Sequence, residues 1–247
     1  SRYAPPGGGK PVAERDSAAM AALVIERLGY RTEQVLQLTN PTRADLDRLM
    51  APGPENPIQK RLRVTSGTSL LLYVSARGHS PGPESAAVHL LPSDTVSGRE
   101  ERDGIAVDQI VAALARLEPE GLTVVLEMPV LGRGARTVLP PNASLLASSP
   151  LAQPMHGLAL MLAAERDQHP LEDMQLRLSL FTRHLLEALA GAADRPPIGN
   201  GDGVIDTVEA FVTASYRTQL AARKTWGLLQ RPVMTRGPAL PLVRLPP

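Results

Sequence analysis

LLLYVSARGH, residues 70–79, decides the fold of this chain. Its first five positions are apolar or aromatic without a break, which suits a strand covered on both faces in a parallel sheet. Ser75, Ala76, Arg77, Gly78 and His79 follow, so the strand runs out into a loop and delivers polar groups there. LTVVLEM, residues 122–128, is a second strand of the same kind, and a third is predicted over 144–147.

Outward from these strands the pattern changes to helical spacing. Met20, Leu23, Val24, Arg27 and Leu28 predict a helix over 17–28, stopped by Gly29. YRTEQVLQL, 30–38, reads as a short strand. Thr42 and Asp45 stand at capping-box spacing and start a helix to about residue 50, after which APGPENP reads as loop. A short strand is expected over 86–91, an amphipathic helix over 105–117, a long helix over 171–190 and another over 206–223. PALPLVRL, 238–245, reads as a final edge strand. Strands alternating with helices imply an α/β fold, a mostly parallel sheet of about five or six strands with helices on both faces and right-handed crossovers. The chain is read as a single domain over 1–247.

Composition narrows the functional classes. Hydrophobic residues make up 43% of the 247 and aromatics only 3%, so Leu, Val and Ala must fill the core. With 26 Lys+Arg against 25 Asp+Glu, no global field points to nucleic acid or an anionic membrane. No apolar run approaches the length of a membrane span, and residues 1–10 lack a signal-peptide core, so a cytoplasmic location is expected. There is no cysteine, which removes disulfides, thiolate metal sites and any cysteine nucleophile.

In open α/β sheets functional groups collect beyond the carboxyl ends of the strands. Two such ends stand out, YVSARG at 73–78 and LEMPVLG at 126–132. Here the chain resembles the caspase-like peptidases, in particular the bacterial metacaspase and orthocaspase type. Their two signatures are a strand ending in Tyr-(Phe/Tyr)-Ser-Gly-His-Gly and a later one ending in Leu-Asp-x-Cys-(His/Arg)-Ser-Gly. The likeness extends through residues 14–50, HLLPSDT at 89–95, ASLLASSP at 143–150 and LFTRHLLEALAGAAD at 180–194, so it covers nearly the whole chain in order. It divides the domain into a large-subunit-like half over 1–132, a loop and strand over 133–156, and a small-subunit-like half over 157–247. SRY at 1–3 resembles the end of the family's first strand, the rest of which has no counterpart.

Caspase-type hydrolysis needs a thiolate to attack the carbonyl and an imidazole to move the proton. On the resemblance, Arg77 occupies the histidine position and Pro129 the cysteine position. An arginine stays protonated at any accessible pH and cannot act as a general base. Proline carries no nucleophile. The resemblance therefore implies a pseudo-peptidase with a degenerate dyad, acting by binding a protein partner such as an active protease or an adaptor. No cofactor is called for.

The resemblance also implies a relict pocket for a basic residue, formed by Asp16, Ser75 and Glu127. Either the pocket still holds an arginine or lysine side chain, or Arg77 reaches Glu127 and fills it from within. Two rival readings stay open: an unorthodox hydrolase using Glu127, His79 or Ser149, and a structural domain of a larger assembly. Among other signals, Asn200, Asp202, Gly203 and Glu209 fit calcium-loop spacing, but Ile198 at the first position cannot ligate; a structural turn and helix cap is expected. The five histidines (His79, His89, His156, His169 and His184) show no metal spacing. GRGAR, 132–136, is a basic glycine-rich loop without the lysine pattern of a phosphate loop.

Overall fold

The computed structural model describes residues 12–53, 55–80, 88–128, 130–132, 157–165, 168, 170–234 and 239–245. Helices α1 (Ala13–Ala22), α2 (Arg43–Met50) and α3 (Pro57–Leu62) precede strand β1 (Ser69–Ser75). Short strands β2 (Gly78–Ser80) and β3 (His89–Leu90), helix α4 (Glu100–Asp103) and strand β4 (Ile105–Ala106) follow. Next come α5 (Val107–Ala115), β5 (Gly121–Glu127), β6 (Val130–Gly132), β7 (Leu158–Leu162), β8 (Glu172–Asp173) and β9 (Leu178–Ser179). The chain continues through α6 (Leu180–Glu187), β10 (Val204–Asp206), α7 (Thr207–Trp226), β11 (Val233–Met234) and β12 (Pro241–Arg244).

The main sheet has the order β1-β5-β7-β11. The first three strands are parallel and β11 returns antiparallel, giving the expected α/β character. The main sheet has four strands among the described residues, where about five or six were expected. A second small sheet, β4-β3-β2-β6, continues from the ends of β1 and β5.

Side chains alternate across a strand, and the two cores follow that rule. Leu122, Val124 and Leu126 of β5 pack with Leu46, Ile58, Val111 and Leu114, the α2, α3 and α5 side. Val125 packs with Met20, Phe181, Leu185, Ala210 and Ala214, the α1, α6 and α7 side. Helices thus cover both faces. Every residue of β5 is buried, and each large apolar side chain there contributes about 1.5–3 kcal/mol relative to exposure.

Local signals account for several boundaries. Thr42 caps α2, with its hydroxyl accepting from the Asp45 N–H and the Asp45 carboxylate accepting from the Thr42 N–H. Asn56 caps α3 through the N–H groups of Ile58 and Gln59, so the stretch read as loop opens a helix at Pro57. Ile105 and Ala106 pair with β3 before α5 starts, which moves that helix start from 105 to 107.

Three larger expectations are corrected. Residues 30–38 hold a single 3-10 turn, Thr32–Gln34, in place of a strand, because no described strand lies alongside to pair with them. The helix expected from 171 begins at Leu180. Residues 172–179 form the β8–β9 hairpin, in which Asp173 Oδ1 accepts from the N–H groups of Gln175 and Leu176, both at 2.9 Å. Met174 and Leu176 are 76% and 54% exposed, and with Leu178 they alternate at the period of a strand. The third parallel strand is β7; residues 144–147, where a strand was expected, lie outside the described residues. The terminal strand exists as β12, but it pairs with β10, Ile205 opposite Val243, instead of edging the main sheet.

Candidate functional site

The carboxyl ends of β1 and β5 lie side by side. Ser75 is opposite Glu127 in the register, and the Ala76 N–H donates to the Glu127 carbonyl at 3.3 Å. Because period two governs the strand, Tyr73 and Ser75 share the face that looks toward α1 and α6. Two carboxylates meet that face, and both are fully buried: Asp16 from the first turn of α1 and Glu127 from β5.

Asp16 is held by three donors. Its Oδ2 accepts from the Ser75 hydroxyl at 2.7 Å and the Ser179 hydroxyl at 2.6 Å, and its Oδ1 accepts from the Ser179 N–H at 2.8 Å. Ser179 is the N-cap of α6, so the carboxylate ties α1 to the positive end of that helix and to the end of β1. One turn into α6, Thr182 donates to Glu127 Oε2 at 3.2 Å. The Tyr73 hydroxyl lies 2.6 Å from the same threonine oxygen. With Glu127 ionised it only accepts, and threonine has one proton to give, so Tyr73 then donates to Thr182. The chain of protons runs Tyr73, Thr182, Glu127. Burial, and then the neighbouring charges of Asp16 and Glu127, push the Tyr73 phenol well above its usual range. Asp16, Glu127 and Ser179 each make a further interaction besides these, so none of them is short of partners.

The structure thus brings Asp16, Ser75 and Glu127 into one buried cluster. It adds Tyr73, Ser179 and Thr182, which sequence reasoning missed. Their signal was present: Tyr73 and Ser75 share a strand face, and Ser179 and Thr182 are three apart on a helix start.

Arg77 goes elsewhere. It is half-buried beyond the end of β1, and its carbonyl accepts from the Leu91 N–H at 3.0 Å. Its charge acts on Glu100, whose carboxyl is held low first by hydrogen bonds from its own and Gly98 N–H groups, with His79 and Arg77 adding to them. Among the described residues Arg77 forms no ion pair with Glu127, the contact that one of the two open readings of the pocket required. Pro129 and Ser149 lie outside the described residues, as do His156, His169 and most of GRGAR.

His79 sits on β2 opposite His89 on β3. It is 8% exposed, and its Nε2 has no hydrogen-bond partner among the described residues. Burial, followed by the charge of His79, lowers the His89 imidazole. No described contact joins this pair to the Asp16–Glu127 cluster.

The calcium-like loop spends its oxygens on its own backbone. Asn200 Oδ1 accepts from the Asp202 N–H, Asp202 Oδ1 from the Val204 N–H, and Asp206 Oδ1 caps α7 through Val208 and Glu209. Glu209 accepts in turn from the Asn200 and Asp206 N–H groups. Among the described residues no three His, Cys, Asp or Glu side chains are placed to hold a metal. No described helix is long and apolar enough to cross a membrane.

No family model matches the chain, and no curated protein matches it.

Proposed function

We propose that this chain is a catalytically inert relative of the caspase-like peptidases that works by binding a protein partner, an active protease or an adaptor. The observation that carries the reading is the register at the strand ends. Ser75 lies opposite Glu127, so the segments bearing Arg77 and Pro129 leave the sheet from neighbouring strands. That is where a base and a nucleophile would need to stand together, and neither side chain can perform either role. Below them persists an acidic, hydroxyl-rich cluster of Asp16, Ser75 and Glu127, which on this reading orders the cleft floor and favours a basic side chain above it.

An unorthodox hydrolase fits less well. The Tyr73–Thr182–Glu127 chain ends in a carboxylate with no exposed surface, and His79 does not join it. A working acid or base must reach the proton it transfers.

The test is a restoration. The wild type and the Arg77→His/Pro129→Cys double variant are incubated with fluorogenic peptides ending in arginine, lysine or aspartate. The expected result is no turnover by the wild type and measurable cleavage after arginine or lysine by the double variant. Turnover by the wild type would overturn the reading, as would a folded double variant that cleaves only after aspartate.

A further inference from the structure

The small sheet β4-β3-β2-β6 carries a group of titratable side chains that the Asp16–Glu127 cluster does not use. His79 on β2 lies directly opposite His89 on the antiparallel β3, so the two imidazoles share one face, with Cβ atoms about 4.5–5.5 Å apart. His79 is 8% exposed and its Nε2 is buried, as is the Nδ1 of His89. Burial and the charge of His79 lower the His89 imidazole, against the charge of Glu101. His89 has little room to turn aside: a Cβ on Gly104, which follows α4, would lie 2.9 Å from the His89 Cβ. Among the described residues the surrounding charges are poorly placed to neutralise a second proton. Arg77 adds a cation, which acts together with His79 on Glu100. That carboxylate already accepts from the Gly98 N–H at 3.0 Å. Glu101 is exposed, where its charge is screened. Asp103 pairs with Arg102 and accepts from the Val96 N–H, and Arg43 of α2 donates to the Asp103 and Gly104 carbonyls at 3.4 Å. The neighbouring strands β4 and β6 carry no ionisable side chain.

We propose that the His79–His89 pair is an acid-sensitive clasp, which holds β3 and α4 on β2 while the imidazoles are neutral and releases them when both are protonated. Like charges directly opposite on paired strands repel, so the closed pair takes up its second proton against the first. Once β3 has left β2, each imidazole titrates on its own near the ordinary value of about 6.5. The released form then binds more protons than the closed one, and acid favours it. The stability that the clasp supplies is therefore present above about 6.5 and is lost as pH falls below that value. β3 is not a strand of the main sheet, which stays folded while the clasp opens. Opening also breaks the bond from the Leu91 N–H to the Arg77 carbonyl, and so frees the segment just beyond the end of β1.

Amide hydrogen exchange, followed by NMR in the 247-residue chain, reads the clasp at the Leu91 N–H. Its protection factor should fall about tenfold or more from pH 7.5 to pH 5, since the released form binds two protons where the closed form binds about one. At pH 5 this exchange should be nearly insensitive to about 1 M urea, the mark of a local opening. The Ala163 N–H, which donates to the Leu126 carbonyl in the main sheet, should by contrast exchange faster in the same urea. In His79→Gln and in His89→Gln the fall at Leu91 should be smaller than in the wild type by about threefold or more, because the remaining imidazole faces no like charge. Unchanged protection at Leu91 would overturn the proposal, as would a fall as large in both variants as in the wild type, or a urea response at Leu91 equal to that at Ala163. It is also overturned if the ring resonances of the wild type show both imidazoles charged while Leu91 stays protected, a result independent of whether the variants fold.

Discussion

β1 and β5 are neighbours of equal length and similar composition, SLLLYVS and GLTVVLE, paired residue for residue. All seven residues of β5 are buried. None of β1 is, and Ser69 and Leu71 are exposed. The difference follows position in the sheet: among the described residues β5 has a strand on each side and β1 has one. An apolar run therefore announces a strand meant for burial, while the edge decides how much burial it receives. The same sheet also separates chemistry by face. The α2 and α5 side is apolar throughout, whereas the α1 and α6 side ends in two buried carboxylates and four hydroxyls.

The sharpest way to break this comparison is truncation of matched leucines. Leu126→Ala opens a cavity in a fully packed site and should cost about 2–5 kcal/mol by urea unfolding. Leu71→Ala removes a side chain that is already 39% exposed and should cost less than about 1 kcal/mol. Similar losses at both sites would mean that β1 is covered in solution and that the two strands are not different after all.

The polar face comes next in expected size. Asp16→Ala removes the acceptor for three donors, including the buried N–H and hydroxyl of Ser179 at the start of α6, and should cost about 3 kcal/mol. Asp16→Asn keeps the shape and part of the hydrogen bonding, so it should cost less than the alanine variant. If both variants unfold at the wild-type urea midpoint, the cluster does not tie α1 to α6.

Much of this fold was legible. Unbroken apolar runs announced β1 and β5, and Thr42 with Asp45 announced the start of α2. Asp16, Ser75 and Glu127 were reached through the resemblance, and the period of two that puts Tyr73 on the same face went unused. What was hidden depended on tertiary partners. Residues 30–38 have the composition of a strand, yet strand structure requires a ladder, and none is offered to them among the described residues. Residues 172–179 were read as part of a helix, yet Met174, Leu176 and Leu178 alternate at strand period, Asp173 bonds its own turn and Asp16 takes the Ser179 N–H. Whether Arg77 fills the pocket was left open in the sequence; it stands past the strand end, where its charge adds to those acting on Glu100.

Tyr73 sharpens the contrast between the faces at high pH. Its phenol is raised above the ordinary value of about 10, so the folded state favours the neutral form. Its contribution is fully present below the unfolded value and is lost as pH rises from there toward the folded one. Thermal stability should therefore fall more steeply above about pH 10 in the wild type than in Tyr73→Phe. Parallel curves would show that the phenol ionises in place without disturbing Thr182 and Glu127.

The smallest expected effect lies at the acid end, where a buried and a half-buried histidine belong to different parts of the molecule. His184 on α6 is lowered chiefly by burial, and the charges of Arg183 and Arg217 oppose the help of Glu187, whose carboxylate lies 3.1 Å away. His89 in the small sheet is lowered by burial and by His79. A lowered imidazole favours the neutral folded form, so its contribution is present above about 6.5 and is lost as pH falls toward the folded value. Each imidazole has a carboxylate that favours its proton, Glu187 in hydrogen-bond contact with His184 and Glu101 through its charge on His89, but His89 also faces the second imidazole of His79. The His89→Gln variant should therefore flatten the decline in the urea midpoint between pH 7 and 5 more than His184→Gln does, relative to wild type. The reverse order would place the acid sensitivity in the Glu187 network on α6 and not in the small sheet beyond β1.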